Sequence, residues 1–206
     1  MKFIGKNKLD DKEFINNCDK LRELTWHRGE KQREYEERIK NNCPLKLEKD
    51  CFKKEESNKR YNPTKLDESY TKNELENLNG EEWRFLSNTY YTKYAVSANG
   101  RVAFFSAGKY HILFQDDKNN DGYLRLDPEG NYNLDHKIEV YKLIAMGFLG
   151  KKSGDGYDVH HIINDGYNCR PGNLILLTRA QHNLVHMSDE QFEIHKNNIA
   201  NYLKEK

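Results

Sequence analysis

Four of the chain's eight histidines fall between positions 160 and 186, and their order is informative. His160 and His161 are adjacent and end a short apolar run. Asn173 follows, then His182, then His186 four residues further on. Neutral imidazole is a good ligand for zinc and similar metals, and it is a natural general base near neutral pH. Such a set can hold one divalent metal and leave one imidazole over to take a proton. Neighbours on a strand point to opposite faces. His160 and His161 therefore need not share a role: one can face a metal and the other a water. His182 and His186 are spaced i and i+4, which puts them on one face of a helix where both can reach one cation.

The elements that must position these residues are legible nearby. Leu174-Ile175-Leu176-Leu177 reads as a short buried strand, and Thr178 sits where a helix N-cap belongs. The segment is thus strand, loop, strand, helix. Upstream, Glu82-Trp83-Arg84 opens a region that continues through Tyr94-Ala95-Val96-Ser97-Ala98-Asn99-Gly100-Arg101-Val102. Two alternating apolar runs there are joined by Asn99-Gly100, a two-residue hairpin signal in which both residues tolerate positive φ. Gly122-Tyr123-Leu124-Arg125-Leu126 follows, and then Val140 to Leu149. Ser188-Asp189-Glu190-Gln191 has the form of a capping box. It opens a last helix to about Leu203, with Phe192, Ile199 and Leu203 on its buried side.

The first eighty residues are different material. They carry a net +2 and the rest of the chain −1, for +1 over the 206 residues. Asp10 to about Asn42 is rich in helix formers, with Phe14, Leu21, Leu24, Tyr35 and Ile39 as a partial apolar stripe. Glu30, Lys31, Arg33, Glu34, Glu36, Glu37 and Arg38 form a mixed-charge face, which reads as solvated or as lying along DNA or a partner. Pro44 marks a break. Lys53 to Lys72 is polar and lysine-rich and reads as a linker or extended arm. There is no apolar run long enough for a membrane helix, and Met1 to Lys6 lacks the stretch of a secretory signal. Cys18, Cys43, Cys51 and Cys169 form no C-x-x-C pair and read as free thiols of a reducing cytoplasm.

The histidine segment resembles the HNH endonuclease family, the ββα-metal nucleases, and Arg170-Pro171-Gly172-Asn173-Leu174 resembles that family's R-P-x-N-L run. Trp83 and the run at 94–102 resemble a motif that precedes the module in phage and intron homing-type members. The resemblance implies an α+β fold. Antiparallel β-hairpins accompany a ββα-metal module, with a helical N-terminal extension. Its expected divisions are 1–80 for the charged helical extension and linker, 81–150 for the hairpin motif and helix, 151–188 for the nuclease core and 189–206 for the last helix. Two positions depart from the family pattern. Ile163 stands where Asn is common, and Asn168-Cys169 stands where Asp-Asn is common; both bear on the loop more than on catalysis.

By the same resemblance, His160, His182 and His186 are metal ligands, His161 is the general base and Asn173 holds the base or its loop. The cofactor is one divalent metal ion. An all-nitrogen set favours zinc, nickel or manganese, and homing-type members often run on magnesium. The partner is double-stranded DNA, cut to leave a 5′-phosphate, with no membrane partner. One module nicks one strand, whereas a homodimer would cut both. Proteins that hold DNA through its phosphates are usually basic, so at +1 the contacts must be local: Arg101, Lys151, Lys152, Arg170 and Arg179. The competing reading is a non-catalytic, zinc-stabilised DNA-binding module, which Cys169 as a fourth ligand would close. A toxin-like or RNA-cutting nuclease of the same fold is a further alternative. His27, His111, His136 and His195 lie outside the motif and read as surface or fold residues.

Overall fold

The computed structural model describes residues 8–42, 69–88, 90–113, 115–117, 121–126 and 138–204. Within these the fold is mixed helix and sheet, as expected, and divides into two compact units. Most of the proposed arm, residues 53–68, lies outside the described residues, as do Cys43, Cys51 and His136.

Unit one gathers the described parts of residues 1–53, 154–164 and 175–206. Helix α1, Asp11–Arg22, starts at Asp10, whose carboxylate accepts the Glu13 N–H in a capping box. Helix α2, Gln32–Asn42, follows a short connection. Strand β8, Tyr157–His161, pairs with β9, Leu174–Thr178. Helix α5, Arg179–Val185, is capped by Thr178, which accepts the Gln181 N–H. Helix α6, Asp189–Lys204, ends the unit. The strand-loop-strand-helix order is that read from the sequence. The N-terminal stripe also finds its partners. Phe14, Leu21, Leu24, Tyr35 and Ile39 share one buried core with Ile162, Ile163, Ile175, Leu177, Leu184, Val185 and Phe192. A stripe with few apolar residues suffices because α1 packs against both α5 and α6.

Unit two gathers the described parts of residues 54–153 and 165–174. Its five-stranded sheet runs β1-β5-β4-β3-β2. The strands are Ser69–Tyr70, Trp83–Phe85, Tyr94–Ser97, Val102–Ser106 and Lys109–Ile112 in chain order from β1 to β5. A short helix α3, Lys72–Glu76, follows β1. A small ribbon pairs β6, Gln115–Asp116, with β7, Arg125–Leu126. Helix α4, Val140–Phe148, packs on β2, β3 and β4 and on the 3-10 turn Pro171–Asn173. Gly147 permits that approach: a Cβ there would stand 2.4 Å from Val96 Cγ2.

The hairpin between β3 and β4 forms, but its turn differs from the expected one. Gly100 alone has positive φ, and its N–H donates to the Ser97 carbonyl. The Ser97 N–H donates to the Arg101 carbonyl. This is a three-residue loop, a turn closed by one left-handed glycine. The two-residue turn lies instead between β4 and β5, where Ala107 and Gly108 both take positive φ and Ser106 pairs with Lys109.

Candidate metal centre

Strand β9 and helix α5 are made by residues with strong local reasons to be there. Four of the five β9 residues are buried, and the Thr178 cap fixes where α5 begins. The consequence is that His160 on β8, His182 on α5 and His186 at the end of α5 converge. One nitrogen from each lies within 4.8 Å of the others. The ring centroids are 5.1, 5.0 and 5.1 Å apart in the three pairs, with planes crossing at 69–73°. The set is close to an equilateral triangle of edge-on imidazoles.

Each ring has a partner for a second nitrogen. His182 Nδ1 lies 3.4 Å from Asp158 Oδ2. His186 Nδ1 donates to the Trp26 carbonyl at 2.9 Å. His160 Nε2 is 3.0 Å from Thr25 Oγ1. Outer partners of this kind orient the rings of metal-bound histidines.

Burial favours the neutral form of all three rings. His160, only 3% exposed, is held well below the ordinary histidine range by burial first, and then by its neighbours His186, His182 and His161. His182 and His186 are lowered for the same first reason. Burial and the His186 charge outweigh Asp158 at His182, and burial outweighs the Trp26 carbonyl at His186. Neutral imidazole is the form a divalent metal binds. His161, next on β8, is buried, and burial followed by the charge of His182 lowers its pKa to about 4.

The other residues picked out by sequence fall as follows. Asn173 is buried, and its side-chain amide donates to the Asn168 carbonyl at 3.0 Å, bracing the loop that carries it. Arg170 and Lys152 are exposed and Lys151 is half-buried, its Nζ donating to the Lys152 carbonyl. Arg179 is exposed and pairs with Asp158 at 3.1 Å. Arg101 does not fit the expected phosphate contact. It is buried and ion-paired with Glu81, and its guanidinium lies 5.3 Å from the centre of the Trp83 ring. Its charge is therefore neutralised inside its own unit. Cys169 is also buried, and its thiol donates to the Gly166 carbonyl of its own loop. Among the described residues the metal-ligating group has the three histidines as its members, so the expected alternative of Cys169 as a fourth ligand is not met. A ring nitrogen of His27 faces the Arg22 carbonyl and one of His111 faces the Ser106 carbonyl, while His195 is exposed.

Sequence reasoning missed Thr25, Trp26 and Asp158. Asp158 had a signal, since residues two apart on a strand share a face and Asp158 precedes His160 by two. Thr25 and Trp26 had none, because nothing in Arg22 to Arg28 is patterned toward a site 135 residues away.

Residues 142–184 match a family model described as HNH endonuclease. No curated protein and no solved structure matches the chain.

Proposed function

From the match of residues 142–184 to the HNH endonuclease family model, we propose that this protein is a metal-dependent endonuclease hydrolysing phosphodiester bonds in DNA. The observation that carries the reading is the triangle of His160, His182 and His186 with His161 next to it in the chain. Three neutral nitrogen donors fit a divalent transition metal and leave a coordination position open, which is the pattern of catalytic rather than structural sites.

His160, His182 and His186 would hold the metal. When bound, it supplies Lewis-acid stabilisation of the charge that develops on the scissile phosphate and the leaving 3′-oxygen. His161 is the general base. With its pKa at about 4 it is unprotonated at neutral pH and can accept the proton of the attacking water. Asn173 keeps the loop at 168–173 in shape through its bond to the Asn168 carbonyl. Lys151, Lys152, Arg170 and Arg179 are the phosphate contacts in this reading. The homing- or phage-type assignment rests on Trp83 and the run at 94–102.

The test is a plasmid assay on purified protein with Mg²⁺, Mn²⁺, Ni²⁺ or Zn²⁺, comparing wild type with His161→Ala. Supercoiled DNA turning to open circle or linear form only with wild type and metal supports the reading, and the product form separates nicking from double-strand cutting. Tight zinc binding with no cleavage under any metal would replace it with the zinc-stabilised DNA-binding module.

A further inference from the structure

Two of the three outer partners of the histidine triangle come from the connection between α1 and α2. Thr25 Oγ1 meets His160 Nε2 and the Trp26 carbonyl meets His186 Nδ1. We propose that Thr25 is a positioning residue of the metal centre, its hydroxyl accepting the Nε2 proton of His160 and so presenting Nδ1 as the donor nitrogen. The inference rests on the metal-centre reading above.

The direction of the hydrogen bond follows from the partners. Thr25 Oγ1 lies 3.0 Å from the Leu21 carbonyl, which can only accept, so the hydroxyl proton points there. What the oxygen offers to His160 is a lone pair, and the nitrogen facing it carries the proton. A neutral imidazole has one such proton. Nδ1 of His160 is then the nitrogen with a free lone pair. Thr25 is fully buried, so water does not compete for this contact.

The connection is also held rigidly. Arg38 donates to the carbonyls of Thr25, at 2.8 Å, of Arg22, at 3.1 Å, and of Glu23. Glu30 fixes the same guanidinium through both carboxylate oxygens, at 2.8 and 2.7 Å. On the other side, the Arg28 N–H donates to the His186 carbonyl at 3.0 Å. Arg22 donates to the Val185 carbonyl at 3.0 Å and to Asp189 at 2.7 Å. His186 is thus gripped by ring and backbone, and His160 by ring. The connection between the N-terminal helices thus backs two rings of the metal centre.

The experiment uses full-length wild type, Thr25→Val and Thr25→Ser. Zn²⁺ affinity is measured by competition with a chromophoric chelator, and the Co²⁺ form by its d–d absorption. Circular dichroism and thermal unfolding of the metal-free proteins are recorded alongside. Thr25→Val is expected to bind Zn²⁺ and Co²⁺ about 10–100-fold more weakly, with an altered Co²⁺ spectrum, the usual size of an outer-partner loss. Thr25→Ser, which keeps the hydroxyl, is expected to match wild type in both. Wild-type affinity and spectrum in Thr25→Val would overturn the proposal, as would a Thr25→Ser as weak as Thr25→Val. Independently of any variant, long-range ¹H–¹⁵N spectra of metal-free wild type should show the Nε2-protonated tautomer at His160; the Nδ1-protonated form would also overturn it. A wild type that binds neither metal sinks the metal-centre reading itself.

Discussion

In unit two, strands β2 to β5 pair with their neighbours in chain order, through connections as short as Ala107-Gly108. Unit one is assembled from three stretches of chain, and among its described residues one buried core draws on all three. The two regions therefore fail in different ways. Local hairpins depend on turn geometry and close backbone approach, whereas the histidine centre depends on buried contacts made across long sequence separations.

Substitutions in each unit test that contrast. The largest effect is expected from His161→Ala, which should lower the cleavage rate about 10²–10⁴-fold, the usual contribution of a general base. Metal affinity, measured on the same protein, should stay near wild type, because His161 stands outside the ligand triangle. Next comes Phe14→Ala. Phe14 is 1% exposed in the core of unit one, so its loss should cost about 3–5 kcal/mol in chemical denaturation. Metal affinity should fall with it if the N-terminal helix belongs to the centre.

In unit two the sensitive positions are glycines. Gly147→Ala drives a methyl to 2.4 Å from Val96 Cγ2 and should cost about 1–3 kcal/mol by overpacking, read as a lower Tm. Gly100→Ala and Gly108→Ala separate turn strain from crowding. Both glycines have positive φ, but a Cβ at Gly100 meets the Cys169 backbone at 3.2 Å while one at Gly108 meets open space. Each substitution should cost about 1–2 kcal/mol for the left-handed backbone, and Gly100→Ala more of the two. Equal losses would show that crowding adds nothing.

The smallest effect concerns acid. Burial pushes the Glu30 carboxyl up, but hydrogen bonds from Arg38 and the His27 N–H outweigh it and hold the pKa below the ordinary 4.5. A carboxylate depressed in the folded state contributes stability above its unfolded pKa and loses it as pH falls through the folded value. Wild type should therefore lose stability as pH falls below 4.5. Glu30→Gln, compared by denaturant titration at each pH, should lose less over that range.

Much of the site was readable because its signals are local. The spacing of His182 and His186 requires only a helix, and Thr178 with Gln181 marks where that helix starts. The burial of Leu174 to Leu177 follows from an unbroken apolar run. The turn at Asn99-Gly100 was readable as a turn but not in type. Asn-Gly suits several turns, and the bonds of Ser97 to Arg101 and Gly100 select among them. Arg101 shows the opposite limit. An arginine in a hairpin looks like a surface charge until Glu81, twenty residues away, is folded beside it.

The histidine constellation and its strand-loop-strand-helix frame were legible in the residue order, because they depend on periodicity and short-range spacing; the α+β class followed from the family resemblance. That His160, His182 and His186 meet in one triangle, that Arg101 pairs with Glu81, and that Thr25 and Trp26 stand behind two of the histidines emerged with the folded chain. Those outcomes depend on which distant segments share a core, and contacts between distant segments leave no pattern in either segment alone.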